Sequence, residues 1–368
     1  MKFCAPCLLG TEGLVAEELK ELEFQHITAE NGRVLFDTSI EQIPRANICL
    51  RIAERVLIVV GQFRAESFEN LFESVKVLPW SDYLPKNAAF PVKGWSLNSK
   101  LHSVPDCQKI IKKAIVTSLS GVYGVNWFEE DGPIFQIQFS ILKDAVTVMI
   151  DTTGAGLHKR GYRAQSNEAP IKETLAAALC KIARVRDYHT LYDPFCGSGT
   201  ILIEGAMLAN NIMPGYRRGF VSEQWGQIPT EAWQRERTRA LDEIKHNTPF
   251  RAFGSDIDAC AVELTHSNAV KFGVRKLMTL QRADIRDFAP QTEKGTLITN
   301  PPYGERMADM QTARSLYRTM GKLFADKRGW SYNIISPDEE FEKIYGTKAR
   351  KRRKLYNGMI KCTYYSYF

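Results

Sequence analysis

Thr190-Leu191-Tyr192-Asp193-Pro194-Phe195-Cys196-Gly197-Ser198-Gly199-Thr200, followed by Ile201-Leu202-Ile203-Glu204-Gly205-Ala206-Met207-Leu208, decides the fold. The first three residues read as a short buried strand and the last eight as an apolar helix. A tight turn with two glycines joins them. The glycines let the backbone approach a ligand closely, and the helix N-terminus offers free N–H groups. The turn is not a GxGxxG dinucleotide loop, and no Gly-Lys-Ser/Thr follows to make a Walker loop. Asp193 at the strand end suits a cationic ligand group better than a pyrophosphate. An amino-acid ammonium beside a sulfonium fits it.

Downstream of this turn, strands and helices alternate, as in a parallel sheet. Ala252 to Asp256 reads as the second strand, and Asp256 at its end can accept from two ribose hydroxyls. The helix Ala259 to Phe272 follows. Leu277 to Gln281 is the third strand, with Asp284 beyond it placed to accept from an adenine amine. Thr296 to Thr299 is the fourth, Ala313 to Ala325 a helix and Tyr332 to Ser336 the fifth strand. Asn357-Gly358 is a strong hairpin signal between two terminal strands. Residues 211–249 interrupt the rhythm and read as an insertion that shapes the substrate entrance, with Arg235, Arg237 and Arg239 mostly solvated. The insertion accounts for the 63 residues between Asp193 and Asp256, against about 20 in a simple βαβ unit.

Asn300-Pro301-Pro302-Tyr303 follows the fourth strand directly. Two prolines end the sheet pairing and fix a rigid extended turn. Such a turn projects an amide, a prolyl carbonyl and an aromatic ring from the carboxyl edge of the sheet, where ligands bind. Two oxygens side by side can accept from one exocyclic amine, and a tyrosine can stack on its base. Taken alone, the four residues fit a plain strand-to-loop turn equally well.

Residues 1–60 read as a small α+β unit and 61–160 as a second. Leu14 to Leu22, Ile43 to Ile52, Phe68 to Val77 and Gln108 to Leu119 have helical spacing. Arg33 to Asp37, Val56 to Val60, Pro91 to Leu97, Ile134 to Phe139 and Ala145 to Ile150 read as strands. Pro170 is placed like the first residue of a helix reaching Cys180, with Glu173 in its first turn. Cys4 and Cys7 form a CxxC, but no second pair stands at metal-site spacing, so they read as structural. His158 to Arg163 suits either a loop gripping a nucleic-acid backbone or a linker whose arginines pair with acids. Lys93, Lys100, Lys109, Lys112 and Lys113 form either a phosphate-facing surface or a solvated helix face.

The chain has 368 residues, with 44% hydrophobic and 25% charged residues, which indicates a multidomain globular protein. No apolar run spans a bilayer. The N-terminus lacks a signal-peptide layout and eight scattered cysteines argue against a disulfide framework, so a cytoplasmic protein is expected. A net charge of +7 favours a polyanionic partner. Lys348 to Lys354 reads as an exposed basic loop that touches RNA.

The turn from Asp193 to Thr200, followed by Asn300-Pro301-Pro302-Tyr303, resembles the class I S-adenosylmethionine-dependent methyltransferases. Within them the chain resembles, over nearly its whole length, the THUMP-domain RNA methyltransferases that modify the N2 amine of guanine, especially the bacterial 23S ribosomal RNA branch. The implied fold is α/β: a Rossmann-like domain at 161–368, mainly parallel with a C-terminal antiparallel hairpin. It follows a ferredoxin-like subdomain at 1–60 and a THUMP domain at 61–160. The resemblance implies S-adenosyl-L-methionine as cofactor. Asp193, Phe195, Gly197, Gly199 and Thr200 would hold its methionine part, Asp256 its ribose, and Asp284 with Ile285 its adenine. Pro170, Glu173 and Thr174 would close one side of the site. Asn300, Pro301, Pro302 and Tyr303 would be catalytic. RNA, ribosomal above all, is the implied partner. No cluster argues for a metal, and no obligate protein partner is evident. The alternatives are N6-adenine methylation of RNA or DNA, guanine-N2 methylation of tRNA, and a non-catalytic RNA-binding assembly factor. A THUMP-containing thiolation enzyme is disfavoured, because the chain has no Ser-Gly-Gly-Asp-Ser-like loop.

Overall fold

The computed structural model describes residues 1–163, 171–304, 307–324 and 328–368. Its first part runs β1 (Lys2–Pro6), α1 (Glu12–Glu21), β2 (Gln25–Glu30), β3 (Arg33–Asp37), α2 (Ile43–Cys49), β4 (Leu57–Arg64), α3 (Phe68–Lys76), β5 (Val92–Leu97), α4 (Val104–Tyr123), β6 (Ile137–Leu142) and β7 (Ala145–Asp151). The seven strands make one sheet in the order β2-β3-β1-β4-β7-β6-β5. β4 pairs with β1 on one side and β7 on the other, so it runs across the expected boundary at residue 60 and fuses the two α+β units. β1, unanticipated in the sequence, lies inside the sheet between β3 and β4, and Phe3, Cys4 and Ala5 are wholly buried. Burial pushes the thiols of Cys4 and Cys7 up to about 12, which makes them inert packing groups.

The second part runs α5 (Glu173–Ile182), β8 (Thr190–Asp193), α6 (Thr200–Ala209), α7 (Thr230–Asp242), β9 (Arg251–Asp256), α8 (Ala259–Phe272), β10 (Met278–Arg282), β11 (Gly295–Thr299), α9 (Met307–Leu323), β12 (Trp330–Ser336), α10 (Phe341–Tyr345), β13 (Lys351–Asn357) and β14 (Ile360–Tyr367). The sheet order is β10-β9-β8-β11-β12-β14-β13. Pairing is parallel from β10 through β12, and β14 is antiparallel to both neighbours. The chain winds outward from β8 to β10, then returns to the other side of β8 as β11. The order reverses between β8 and β11, which is where open α/β sheets bind ligands.

Several expectations are corrected. α5 begins at Glu173, with Lys172 as an extended N-cap, rather than near Pro170, which lies outside the described residues. The insertion does not line the ligand cavity. It packs on the N-terminal core instead: Trp225 stacks on Phe135 with centroids 4.3 Å apart and donates to the Ile134 carbonyl at 3.0 Å. Arg237 is not solvated, because it bonds the Tyr216 and Arg218 carbonyls and the Glu223 carboxylate.

Arg160 and Tyr162 are buried, which decides the 158–163 segment as a structural linker. Arg160 pairs with buried Glu204 at 3.3 Å, and the Tyr162 hydroxyl donates to the same carboxylate at 3.1 Å. Lys112 is likewise no phosphate contact: it sits over the Phe90 ring and pairs with Glu130. Half of the basic run at 348–354 is strand rather than loop, since Lys351 to Lys354 begin the edge strand β13. Charged residues on an edge strand discourage sheet-to-sheet association.

Candidate active site

Four strand ends converge on one edge of the second sheet. Asp193 closes β8, Asp256 closes β9, Asp284 stands two residues past β10, and Asn300 follows β11 directly. Asp256, Asp284 and Asn300 line a cavity of about 710 Å³, within the roughly 300–1,000 Å³ range of small-ligand sites, while Asp193 is buried and does not line it. Phe195, Asp256, Ile257, Asp284 and Ile285 line one side. Asn300 to Tyr303 line the other, with Asn357, Gly358 and Ile360 from the terminal hairpin.

The turn after β8 is held open from behind. Gly197 and Gly199 have φ of +53° and +78°, the left-handed region. A Cβ on Gly199 would stand 2.6 Å from Thr265 Cγ2, so only glycine fits there. From α8, Thr265 donates to the Gly197 carbonyl at 2.7 Å and Asn268 to the Ser198 carbonyl at 2.9 Å. The Gly197 N–H donates to Asp256 Oδ2 at 3.0 Å. The second strand-end aspartate thereby sets the loop that follows the first.

Asp193 is buried and accepts from Thr299 Oγ1 at 2.7 Å and from the Phe195 N–H at 3.1 Å, both on Oδ1. Burial raises its carboxyl to about 7, against the lowering effect of those two bonds. A buried carboxyl poised in this way gains most from a cationic partner. An ammonium fits. Ile257 is 60% exposed on the cavity wall, an apolar surface suited to a flat ring.

Asp284 lines the cavity already bound by Arg286. Arg286 binds it through its backbone N–H, Nε and Nη2, the last at 2.5 Å, and holds its carboxyl down at about 2.

Apart from buried Asp193 and from Pro170, which lies outside the described residues, the expected residues fall into two groups. Phe195, Asp256, Asp284, Ile285 and Asn300 to Tyr303 stand on the cavity wall. Glu173, Thr174, Gly197, Gly199 and Thr200 stand behind it. Thr174 donates to Glu54 at 2.6 Å, Thr200 accepts from Arg163 at 2.6 Å, and Glu173 lies 3.7 Å from Arg163. Lys172, Ile257 and Arg286 also line the cavity and carried no sequence signal of their own, and Asn357, which lines it too, was legible only as part of a hairpin turn. Thr299 carried one in retrospect: a polar residue ending a buried strand.

The four-residue turn is fixed at both ends. Tyr303 donates from its hydroxyl to Asn300 Oδ1 at 2.5 Å, and burial raises its phenol above the ordinary range. Tyr317 from α9 donates to the Pro302 carbonyl at 2.9 Å. The tyrosine ring packs beside the hairpin, with its oxygen 3.4 Å from Asn357 Nδ2. Thus the amide oxygen of Asn300 is oriented before any substrate arrives.

The RMKL-like methyltransferase domain model matches residues 160–366, the RlmL ferredoxin-like domain 2–57 and the THUMP domain 65–151. YpsC of Bacillus subtilis, which bears an RNA-methyltransferase name, is 41% identical over 98% of this chain and 94% of its own. The ribosomal RNA large subunit methyltransferase K/L of Psychromonas ingrahamii is 32% identical, and this chain spans 50% of its length. SMU.472, solved as a complex with SAH, superposes with a TM-score of 0.94 at 42% identity, covering 100% of this chain and 97% of that one. The chain belongs to the RMKL-like methyltransferase family, and it is an S-adenosylmethionine-dependent methyltransferase with an RlmL ferredoxin-like domain and a THUMP domain.

Proposed function

We propose that the protein methylates the exocyclic N2 amine of a guanosine in RNA, with large-subunit ribosomal RNA in the cytoplasm as its substrate. One observation carries this reading. Asn300 Oδ1 is held by Tyr303 at the strand edge beside Asp193, on the wall of the same cavity as Asp256. The THUMP domain and the large-subunit RNA methyltransferase relative support RNA as the substrate class.

The N2 amine is a poor nucleophile because its lone pair is delocalised into the ring. When bound, S-adenosylmethionine supplies the electrophilic methyl group. Asn300 Oδ1 keeps a lone pair beyond the one taken by Tyr303. That lone pair and the Pro301 carbonyl accept the two amine hydrogens, which favours a pyramidal nitrogen. Asp193 would hold the cofactor's ammonium and Asp256 its ribose. Gly197 and Gly199 would shape the turn behind Asp256. The residues position and polarise, and the proton lost from N2 as the methyl adds is released to solvent water.

Nucleoside analysis of ribosomal RNA from a strain lacking the protein tests this. Loss of N2-methylguanosine at one position, restored by the gene, is expected. Loss of N6-methyladenosine with N2-methylguanosine unchanged would instead assign the turn to adenine.

A further inference from the structure

The terminal hairpin closes in a way its sequence does not suggest. Asn357 pairs with Ile360, so the two loop residues are Gly358 and Met359 rather than Asn357 and Gly358. Gly358 takes φ +62° and Met359 does not take a positive φ. A two-residue turn with glycine first admits nearly any residue second, and polar ones predominate. Here the second residue is methionine, and its side chain is 96% exposed. Nothing in the hairpin requires an apolar group there, and the fold gains no burial from it.

Its surroundings supply a reason. The residues on both sides of Met359, together with Asn357, line the cavity that holds Asn300 to Tyr303. Met359 therefore crowns the lip of the proposed base pocket. β13 leads to this tip carrying exposed Lys351, Arg353 and Lys354, and exposed Lys361 begins the return. An apolar point flanked by cations matches a double-stranded polyanion that must be locally opened. The N2 amine lies on the pairing edge of guanine. A base in a helix must leave the stack before both amine hydrogens can be accepted. Proteins that unstack helices commonly insert Met, Leu, Ile or Phe between base steps, while basic groups hold the backbone.

We propose that Met359 is a wedge that enters the RNA helix and fills the space left by the extruded guanine. β13 and Lys361 grip the adjoining phosphates. This rests on the RNA-methylation reading above. The wedge acts on base opening and not on methyl transfer.

The test uses the full-length enzyme and two ribosomal RNA fragments containing its target guanine. One has the guanine paired in a duplex, and the other has it in an unpaired bulge. Met359→Ser, which suits the turn, should lower kcat/KM on the paired fragment by about tenfold or more. It should change kcat/KM on the bulged fragment by less than about twofold. Met359→Leu should restore activity on the paired fragment. Equal losses on both fragments, or no loss on either, would overturn the wedge and leave the methylation reading intact. Absence of N2-methylguanosine from wild-type reactions on both fragments would overturn the underlying reading, and the wedge with it.

Discussion

The Tyr303 hydroxyl donates to Asn300 Oδ1 at 2.5 Å, a bond closed within a four-residue turn. The two prolines between them make it possible. They hold the backbone extended after β11 and bring the phenol back over the amide. The bond fixes which end of the amide is the oxygen, which an unrestrained asparagine leaves open. Tyr303→Phe keeps the ring and removes this restraint. We expect kcat to fall about tenfold, the value of one neutral hydrogen bond, with cofactor affinity unchanged. Single-turnover methyl transfer and calorimetric titration with S-adenosylmethionine separate the two effects.

With the cofactor's ammonium on Asp193 as proposed, the carboxyl, raised to about 7 by burial, should make cofactor binding pH-dependent. The bound ammonium selects the ionised form. Affinity should therefore rise about tenfold between pH values near 6 and 8 as the free protein's Asp193 ionises. Stability of the ligand-free protein follows the opposite sign. The folded pKa is raised, so this group's contribution is fully present below its unfolded pKa near 3.9. That contribution is lost as pH rises through about 7. Asp193→Asn should flatten both dependences and weaken binding about 10- to 100-fold, the loss of one charge-assisted bond. A titration repeated across pH checks it.

Gly197 and Gly199 should tolerate alanine differently. Both have positive φ, but Gly197 has open space where a Cβ would be, and Gly199 faces Thr265 at 2.6 Å. Gly197→Ala should cost about 1 kcal/mol, the backbone penalty alone. Gly199→Ala should cost more, about 2–3 kcal/mol, because α8 must also shift. The order of their melting temperatures reads this directly.

Arg160 and Glu204 are both buried where the linker meets α6. Glu204→Ala leaves the guanidinium without a counter-charge and the Tyr162 hydroxyl without its acceptor. The expected loss is about 3–5 kcal/mol, seen as a lowered thermal midpoint. A variant as stable as wild type would show that this junction does not hold the catalytic domain to the arm.

The helices and strands of the catalytic domain were legible because their signals are local. α8 runs from Ala259 to Phe272 as its periodicity predicts, and β11 is built on the short buried run Thr296 to Thr299. The cavity wall from Asn300 to Tyr303 was legible for the same reason: proline chemistry is fixed by sequence. Tertiary partnership was not. Trp225 looks like part of a surface insertion until Phe135 is beside it. Tyr162 looks like a stacking residue for RNA until its hydroxyl is seen on Glu204. Thr174 and Thr200 precede and follow the glycine-rich turn as ligand contacts would, yet their hydroxyls bind Glu54 and Arg163. Arg286 shares the Asp284 carboxylate through a contact only two residues long, in a geometry that spacing does not reveal.

Asn300→Ala is the most direct test, with methyl transfer from labelled cofactor to ribosomal RNA lacking the modification measured in a single turnover. Removal of the acceptor on the N2 amine should lower the rate at least about 100-fold, while S-adenosylmethionine binds as it does to the wild type. N2-methylguanosine forming at a rate near that of the wild type would contradict the role of Asn300 and the reading of the site built on it.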